Sequence, residues 1–226
     1  MKTFLGASVG RKFVVALSGL FLVTFLTVHL VVNLTMLLGA EVYNSAAHWM
    51  GSNPAVQAIR PLLVAGLLVH IALSAYLAWI NFAARPTRYA VVSPAGGSTW
   101  QARHMFLLGS LLVLFLALHL SSFAIRMTFG SPDPFLIDGV VMKDAYTLVT
   151  ERFALWWYVA LYVVAMVVLG LHLAHGVQSA LHTLGLTNER WQRRWLVVGR
   201  VYAIVVAGGF ALLPVYFFLQ AQMSRS

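Results

Sequence analysis

Five long stretches of apolar residues, separated by shorter polar segments, dominate the pattern along this chain. They cover about residues 13–38, 61–83, 105–126, 154–184 and 196–219. About 20 apolar residues suffice to cross the hydrocarbon core of a bilayer as an α-helix. The first stretch is longer than the apolar region of a signal peptide, which has about 7–15 residues, so we expect it to be retained. The pattern predicts an all-α membrane protein with five transmembrane helices in a bundle, forming a single domain over residues 1–226.

The polar segments are expected to connect these helices. Residues 39–60 are interpreted as a loop. It contains Ser52-Asn53-Pro54, where an N-cap followed by proline at the first helical position indicates that a helix starts before the membrane span. The other connections are a linker over residues 84–103, an acidic segment over residues 128–152 and a basic turn over residues 187–194.

Composition agrees with a membrane protein, since 61% of the residues are hydrophobic and 9% are charged. A soluble domain cannot bury so much apolar surface. The formal net charge of +9 comes from short basic segments between the apolar stretches, not from one basic face. This distribution is typical of membrane topology signals, and it argues against binding to nucleic acid.

The basic residues also predict an orientation. Basic residues concentrate in the cytoplasmic segments of membrane proteins. Of the 15 lysines and arginines, ten lie on the side of the amino terminus: Lys2, Arg11, Lys12, Arg85, Arg88, Arg103, Arg190, Arg193, Arg194 and Arg200. The other side holds Arg60, Arg126, Lys143, Arg152 and Arg225. We therefore expect a cytoplasmic amino terminus and an external carboxyl terminus.

Histidines lie inside four of the five apolar stretches, and the chain has no cysteine. His29, His70 and His119 occupy the first three stretches, and the fourth holds His172 and His175. An ionisable side chain in hydrocarbon is costly and by default marks a functional site. Without cysteine, thiolate-bound iron–sulfur clusters and covalently attached haem are excluded within this chain. Any metal centre must therefore use histidine.

The depths of the histidines can be compared at 1.5 Å of rise per helical residue. His29 lies 17 residues beyond Lys12, and His119 lies 16 beyond Arg103. Both are therefore about 25 Å from the inner edge, nearer the outer face, and can point at one object. His70 and His172 lie at about 22 Å and 27 Å, with His175 about 4 Å closer to the inner face than His172. Depth alone leaves His172 and His175 as alternatives.

A haem fits between two such histidines, because axial bis-histidine ligation is one of the ways proteins hold this group. A single membrane histidine is more often part of a helix–helix hydrogen bond. Four of them, two at one depth, favour ligation of two non-covalent haem b groups. Small residues near these histidines leave room for a porphyrin, among them Gly66, Ser74 and Gly176. Arg126, two turns after His119, is a candidate partner for a propionate.

The remaining histidines and the aromatic clusters are given simpler roles. His48, His104 and His182 lie at predicted helix ends or in loops, where we expect interfacial or hydrogen-bonding roles. The tryptophan-rich positions are interpreted as interfacial anchors; they are Trp156-Trp157-Tyr158, Trp100 and Trp195.

Two stretches of the sequence resemble a known family. They are SVGRKFVVALSGLFLVTFLTVHLVVNL and GLHLAHGVQSALHTLGL, with Ser8-x-Gly10-Arg11-Lys12 and His172-x-x-x-Gly176 as their more specific pieces. Both resemble the cytochrome b membrane-anchor subunit of bacterial succinate dehydrogenase/fumarate reductase, in its five-helix, two-haem form. The resemblance extends over essentially the whole chain, with histidines in spans one to four and none in span five.

The resemblance implies a ligand set and a function. His70 would pair with His172 at the haem nearer the cytoplasm, and His29 with His119 at the distal haem. The glycine one turn after His172 selects it over His175, which becomes a neighbour of the site. The cytoplasmic face would dock an iron–sulfur subunit that carries a flavoprotein subunit, as in respiratory complex II of the tricarboxylic acid cycle. The chain would pass electrons between that iron–sulfur subunit and a quinone, usually menaquinone, in the bacterial cytoplasmic membrane. The succinate chemistry itself would reside in the partner subunits.

A quinone needs a proton donor or acceptor beside it. Related proteins use a carboxylate on the outer side, for which Glu41 is the candidate here, although an acid in a solvated loop is the simpler interpretation. On the inner side, Ser8, Arg11 and Ser18 can face a quinone or the iron–sulfur partner. The alternatives are a haem-b subunit of another quinone-linked dehydrogenase and a non-haem transporter that uses the histidines as a proton relay.

Overall fold

The computed structural model of the protein describes residues 8–84 and 100–224. Arg85 and Arg88 of the predicted linker, and the terminal residues Lys2 and Arg225, lie outside these ranges. Within them the chain forms α1 Ser8–Leu34, α2 Ala40–Ser52, α3 Pro54–Ala83, α4 Trp100–His119, α5 Ile125–Phe129, β1 Pro134–Ile137, β2 Val140–Lys143, α6 Ala145–Phe153, α7 Trp156–Thr183 and α8 Glu189–Met223. A 3₁₀ turn, Thr35–Leu38, extends α1, and a π-helical turn, Leu120–Ala124, joins α4 to α5.

Five helical segments among the described residues are long and apolar enough to cross a membrane, by length and composition. They are Ser8–Leu38, Pro54–Ala83, Ala102–Phe129, Trp156–Thr183 and Arg190–Met223. The five apolar stretches lie within or close to these segments, which confirms the expected number of long apolar helices. Several helices continue past the apolar residues, because polar residues at helix ends can extend a helix into water. The arrangement is consistent with a multi-pass membrane protein.

The connection over residues 39–60 differs from the expected loop, because most of it is helical. α2 occupies Ala40–Ser52, with Tyr43 and Asn44 buried on its inner face. Its apolar residues are too few for the hydropathy pattern to reveal it. The predicted helix start is confirmed, since the Asn53 side chain accepts hydrogen bonds from the backbone N–H groups of Ala55 and Val56, and a proline follows it.

The acidic segment over residues 128–152 also contains regular structure. β1 and β2 form an antiparallel hairpin in which Pro134 lies opposite Lys143 and Ile137 lies opposite Val140. Asp138 and Gly139 form its two-residue turn with φ values of 49° and 80°. Asp-Gly is favoured in such turns because both positions require positive φ. The Asp-Gly signal was present in the sequence, although the segment was interpreted only as an acidic connection.

The long helices pack in a bundle around α7. α7 contacts α8 most extensively and also packs against α1 and α4, while α1 packs against α3. Side-chain contacts show that α1 and α3 run in opposite directions, since Arg11 near the start of α1 bonds Tyr76 near the end of α3. We call the end of the bundle that holds Ser8 the amino-terminal end, and the end that holds β1 and β2 the hairpin end.

Small residues let α7 and α8 approach closely. A Cβ atom built on Gly170 of α7 would lie 3.2 Å from Cβ of Ala207 on α8. Ala203 and Val206 of α8 are almost completely buried at 2% exposure. Close backbone approach through small residues is a common way for helices to associate in membranes.

The hairpin end carries a cap of short elements packed on the long helices. Asn44 of α2 is completely buried, and its amide donates to Asp144 Oδ1 at 3.0 Å and accepts from the backbone N–H of Tyr146 at 2.9 Å. Asp144 is the N-cap of α6 and accepts from the backbone N–H of Thr147. Burial raises the pKa of Tyr43 to about 12. These contacts tie α2 to α6 across about 100 residues of sequence.

Candidate functional site

The structure brings His29 of α1 and His119 of α4 together, as the depth comparison predicted. Their ring centroids are 5.9 Å apart, and the ring planes are inclined at 89°. Imidazole nitrogens bind metals at about 2 Å, so two imidazoles on opposite sides of one ion have ring centres roughly 6 Å apart. The spacing of this pair, which we call the outer pair, therefore suits two axial ligands of one metal.

Each ring of the outer pair has a polar neighbour at Nδ1. The Asn33 amide nitrogen lies 3.3 Å from Nδ1 of His29 and donates to the His29 carbonyl at 2.7 Å. Nδ1 of His119 lies 3.0 Å from the hydroxyl of Tyr162 on α7. The Tyr158 hydroxyl, one helical turn earlier, lies 3.3 Å from the Tyr162 hydroxyl, and either hydroxyl can donate to the other. The Tyr162 hydroxyl can accept a proton from Nδ1 of His119, which leaves Nε2 of that ring to bind a metal. The Asn33 amide nitrogen can only donate, so it does not fix the proton of His29 on Nδ1.

Aromatic rings line the outer pair. Phe25 stacks on His29 with centroids 5.2 Å apart, and Phe210 of α8 approaches it at 5.6 Å. Phe115 and Phe123 flank His119 on its own helix at 5.8 Å and 5.5 Å. These walls are apolar and exclude water, which suits a large flat apolar cofactor.

A π-helical turn over Leu120–Ala124 follows His119 directly. Such turns often occur at functional sites. A π-helical turn takes about one residue more than an α-helical turn, so a side chain seven residues after His119 is rotated from the face that regular spacing predicts. Arg126 accordingly is exposed, whereas Met127 packs on the core. Binding of a propionate by Arg126 stays a prediction.

The second pair, His70 of α3 and His172 of α7, lies nearer the amino-terminal end, and we call it the inner pair. The Ser18 hydroxyl donates to the Val15 carbonyl at 3.1 Å and lies 3.2 Å from Nδ1 of His70, so it can accept a proton from that ring. The pairing of His70 with His172, with His175 beside the site, stays a prediction. Nδ1 of His172 is buried and has no hydrogen-bond partner among the residues that the structure describes.

Glycines lie against both rings of the inner pair. A Cβ atom on Gly19 of α1 would lie 3.2 Å from Cε1 of His70, and one on Gly109 of α4 would lie 3.8 Å from Cε1 of His172. The absence of a side chain at these two positions leaves room beside the rings. Neither glycine stood out in the sequence, because each acts on a histidine of a different helix.

The two pairs lie at separate levels along the bundle. On α1, 11 residues separate Ser18, which contacts the inner pair, from His29, and on α7, 10 residues separate Tyr162, which contacts the outer pair, from His172. At 1.5 Å per residue, both helices place the two levels roughly 15 Å apart. Agreement between the two helices supports two distinct sites.

The other candidate residues lie away from these pairs. Glu41 is exposed in the first turn of α2, and Ser8 is exposed at the start of α1. The Arg11 guanidinium lies 5.2 Å from the centroid of the Tyr76 ring and donates to its hydroxyl at 3.1 Å. Its buried Nε has no hydrogen-bond partner within residues 8–84 and 100–224.

The remaining histidines have neighbours that differ from those of the pairs. His104 stacks on Trp100, at a centroid distance of 4.3 Å, and its Nδ1 lies 2.8 Å from the Trp100 carbonyl. His48 and His182 are exposed. Residues 8–84 and 100–224 contain no cluster of three or more histidine, cysteine or acidic side chains that could hold a metal ion. A site made from two histidines does not require such a cluster.

Tyr162 is the main residue that sequence reasoning missed. It lies 43 residues from His119, and no local motif connects them. Tyr158 was interpreted as an interfacial anchor with Trp156 and Trp157, but it is only 2% exposed, whereas those tryptophans are 71% and 49% exposed. The three adjacent residues share a composition signal but face different directions on α7.

Comparisons with models of protein families, with curated proteins and with solved structures find no match for this chain. Function is therefore inferred from the side chains and from the sequence resemblance.

Proposed function

We propose that this chain is a multi-pass membrane protein with its amino-terminal end in the cytoplasm and its hairpin end outside. The five long apolar helices support insertion. The basic residues support the orientation, because Arg11, Lys12 and the arginines at the start of α8 all lie at the amino-terminal end. Exposed apolar side chains on the long helices then face lipid, which removes the cost of their exposure to water.

We propose further that each histidine pair provides the axial ligands of one haem b. The observation that carries this proposal is the 5.9 Å spacing of His29 and His119, with the Tyr162 hydroxyl beside Nδ1 of His119. For the inner pair, Gly19 and Gly109 leave room beside the rings of His70 and His172. Bound haem supplies one-electron transfer, with a potential that its ligands and surroundings tune.

The contribution of the protein's own residues is to hold and orient the histidine rings. The hydroxyls of Tyr162 and Ser18 can accept from Nδ1–H of His119 and His70 and thereby orient these rings. The aromatic walls of the outer pair exclude water, and Gly19 lets α1 approach the ring of His70. Two sites stacked roughly 15 Å apart along the bundle connect the two faces of the membrane.

The function that this arrangement supports best is that of the di-haem cytochrome b subunit of succinate dehydrogenase/fumarate reductase. The chain anchors an iron–sulfur subunit and a flavoprotein subunit at the amino-terminal end and passes electrons between them and a quinone, with menaquinone as the expected species. It is then a membrane subunit of succinate:quinone oxidoreductase, and the succinate chemistry belongs to its partners.

The deciding experiment is a visible spectrum and a pyridine haemochrome assay of the purified protein. We expect about two haems per chain, extractable by acid acetone because no cysteine can attach them. His29→Ala and His119→Ala should each remove the same haem, and His48→Ala, which changes an exposed histidine, should remove none. A colourless protein would refute the haem proposal and favour a histidine relay.

A further inference from the structure

We propose that Tyr162, supported by Tyr158, is a positioning residue that sets the tautomer and orientation of His119 and thereby lowers the potential of the outer haem. The inference rests on the proposed haem ligation by His29 and His119. It concerns the ring nitrogen of His119 that does not face the metal. Tyr162 does not itself touch the metal in this account.

Packing fixes the Tyr162 ring so that its hydroxyl cannot easily turn away. The side chain is 5% exposed. Its ring lies 4.8 Å from Phe115 and 5.3 Å from Phe153, both edge to face, and stacks on Tyr158 at 4.8 Å. These contacts come from α4, α6 and α7 together, so the hydroxyl position is set by three elements. Tyr162 therefore offers His119 a preorganised partner.

The position of the proton follows from the nitrogen that binds. Ligation through Nε2 requires the proton of a neutral imidazole to reside on Nδ1. This Nδ1–H then donates to the Tyr162 oxygen, which lies 3.0 Å away. Hydroxyl hydrogens rotate, so Tyr162 can in turn donate to the oxygen of Tyr158 at the observed 3.3 Å. Tyr158 thus gives the Tyr162 proton an acceptor, and the hydroxyl of Tyr162 stays free to accept from His119.

A hydrogen bond from Nδ1–H makes an imidazole a stronger electron donor. Partners of this kind orient ligating histidines and raise their basicity. A more basic ligand stabilises the oxidised iron and lowers the reduction potential. His172 provides an internal contrast, because its Nδ1 is buried without a hydrogen-bond partner. A hydrogen-bond partner at Nδ1 is therefore found for particular histidines and not for every histidine inside this bundle.

The test is Tyr162→Phe, which removes the hydroxyl and keeps the ring. We expect both haems to remain and the outer haem, identified by its loss in His29→Ala, to become easier to reduce. Loss of one hydrogen bond should raise its ratio of reduced to oxidised form about fivefold at a fixed ambient potential. That change equals about 40 mV, at 59 mV per tenfold for one electron. The low-spin ferric EPR signal of the same haem should shift, since the ring of His119 loses its orienting partner.

Matched variants separate this role from general packing. Tyr158→Phe should shift the reduction potential of the outer haem in the same direction by a smaller amount. Tyr202→Phe should leave both potentials unchanged, because its hydroxyl bonds the Val23 carbonyl at 2.8 Å and Thr27 at 3.0 Å and not a histidine. Ser18→Ala should affect only the inner haem.

The outcomes are distinguishable. Unchanged potentials and EPR signals in Tyr162→Phe would overturn the inference and leave the proposed function intact. A wild-type protein without haem would overturn the proposed function itself. If Tyr162→Phe loses the outer haem altogether, the Tyr158→Phe variant decides. A shifted reduction potential of its outer haem supports the inference, and an unshifted potential refutes it.

Discussion

The four paired histidines differ in what holds their Nδ1 atoms. His29 has the amide of Asn33, His119 has the Tyr162 hydroxyl and His70 has the Ser18 hydroxyl, whereas Nδ1 of His172 has no hydrogen-bond partner. Asn33 lies on the same helix as its histidine, while Tyr162 and Ser18 lie on neighbouring helices. The orientation of His119 and His70 therefore depends on helix packing, and that of His29 is mainly local.

The choice between His172 and His175 can be tested directly. We expect His172→Ala to remove the haem that His70→Ala removes, because the sequence resemblance pairs these two histidines and Gly109 leaves room beside His172. His175→Ala should retain two haems per chain in a pyridine haemochrome assay. If His172→Ala retains this haem and His175→Ala loses it, His175 and not His172 would be its ligand.

Asn44 is predicted to be important for the stability of the cap at the hairpin end. It is completely buried, and Asn44→Ala would leave the backbone N–H of Tyr146 without its acceptor and remove a donor from Asp144. An unsatisfied buried group costs about 1–3 kcal/mol, so we expect a loss of that size in the free energy of unfolding. Thermal unfolding in detergent should show it, with Ser45→Ala, an exposed change on the same helix, as the control. Equal stability of the two variants would contradict the prediction.

Asp144 should make the same cap sensitive to acid. Partial burial raises the pKa of Asp144, but hydrogen bonds from Thr147, Asn44 and the Tyr146 backbone outweigh it and hold the pKa below its ordinary value of 3.8. A lowered pKa means that the carboxylate stabilises the fold above pH 3.8 and loses this effect as the pH falls through the folded-state value.

We therefore expect Asp144→Asn to be less stable than the wild type at neutral pH. The difference between the two melting temperatures should shrink when the pH is lowered below 3.8. A difference that stays constant with pH would indicate that the charge of Asp144 contributes nothing.

At the scale of elements, long helices were predictable from the sequence and short ones were not. An apolar stretch of about 20 residues has few alternatives to a membrane-spanning helix. α2 and α6 have mixed compositions, and each is stabilised by contacts to the other and to the long helices, which no local pattern reveals. The hairpin was signalled by Asp138-Gly139, but its strands have only four residues each.

The candidate site was predictable to a similar degree. Depth along separate helices correctly placed His29 and His119 at one level, because rise per residue is uniform in an α-helix. It also placed His70 and His172 at almost that level, which is wrong, since the structure separates the two levels by roughly 15 Å. For His172 the count began at Arg190 and crossed the non-helical turn after Thr183. Depth does not report rotation about the helix axis, so Tyr162, Gly19 and Gly109 could not be assigned to particular histidines. The π-helical turn after His119 likewise rotates the residues that follow it about the helix axis. The face predicted for Arg126 came from regular α-helical spacing, which does not include this rotation.

Close packing of α7 on α8 gives a prediction for one helix pair. A Cβ atom at Gly170 would already lie 3.2 Å from Ala207, so the branched side chain of Gly170→Val must separate the helices. Overpacking of this kind costs about 1–3 kcal/mol, which unfolding in detergent can measure. Gly208→Val is the control, because nothing lies within 4 Å of a Cβ at that position. Similar losses of unfolding free energy in both variants would indicate that the effect comes from helix propensity and not from packing.

At the scale of the whole molecule, the orientation proposed for the chain can be tested by labelling. The chain has no cysteine, so single cysteines can be introduced without background. Ser52→Cys at the hairpin end should react with a membrane-impermeant maleimide in intact cells, whereas Ser8→Cys at the amino-terminal end should react only after permeabilisation. Both positions are exposed. The opposite pattern of labelling would invert the topology.

The stacking of two histidine pairs along the bundle raises the question of energy coupling in the proposed function. The proposed iron–sulfur partner delivers electrons at the amino-terminal end, and the outer pair lies roughly 15 Å further along the bundle. If quinone is reduced near the outer pair and takes its protons from the hairpin side, charge crosses the membrane during each turnover. One charge moving through 100 mV is worth about 2.3 kcal/mol, enough to assist reduction of a low-potential quinone.

Glu41 is the proposed proton carrier, because it is exposed in the first turn of α2 at the hairpin end, where protons from outside can reach it. We expect quinone reduction by succinate in sealed vesicles that hold the complete complex to change rate when an uncoupler removes the membrane potential. Glu41→Gln should slow turnover while leaving both haems bound, and Glu151→Gln, an exposed acid of α6 at the same end, is the control. A rate that is indifferent to the potential would instead locate quinone at the amino-terminal end. Ser8 and Arg11 would then be the residues to change, since they lie at that face and the buried Nε of Arg11 has no hydrogen-bond partner.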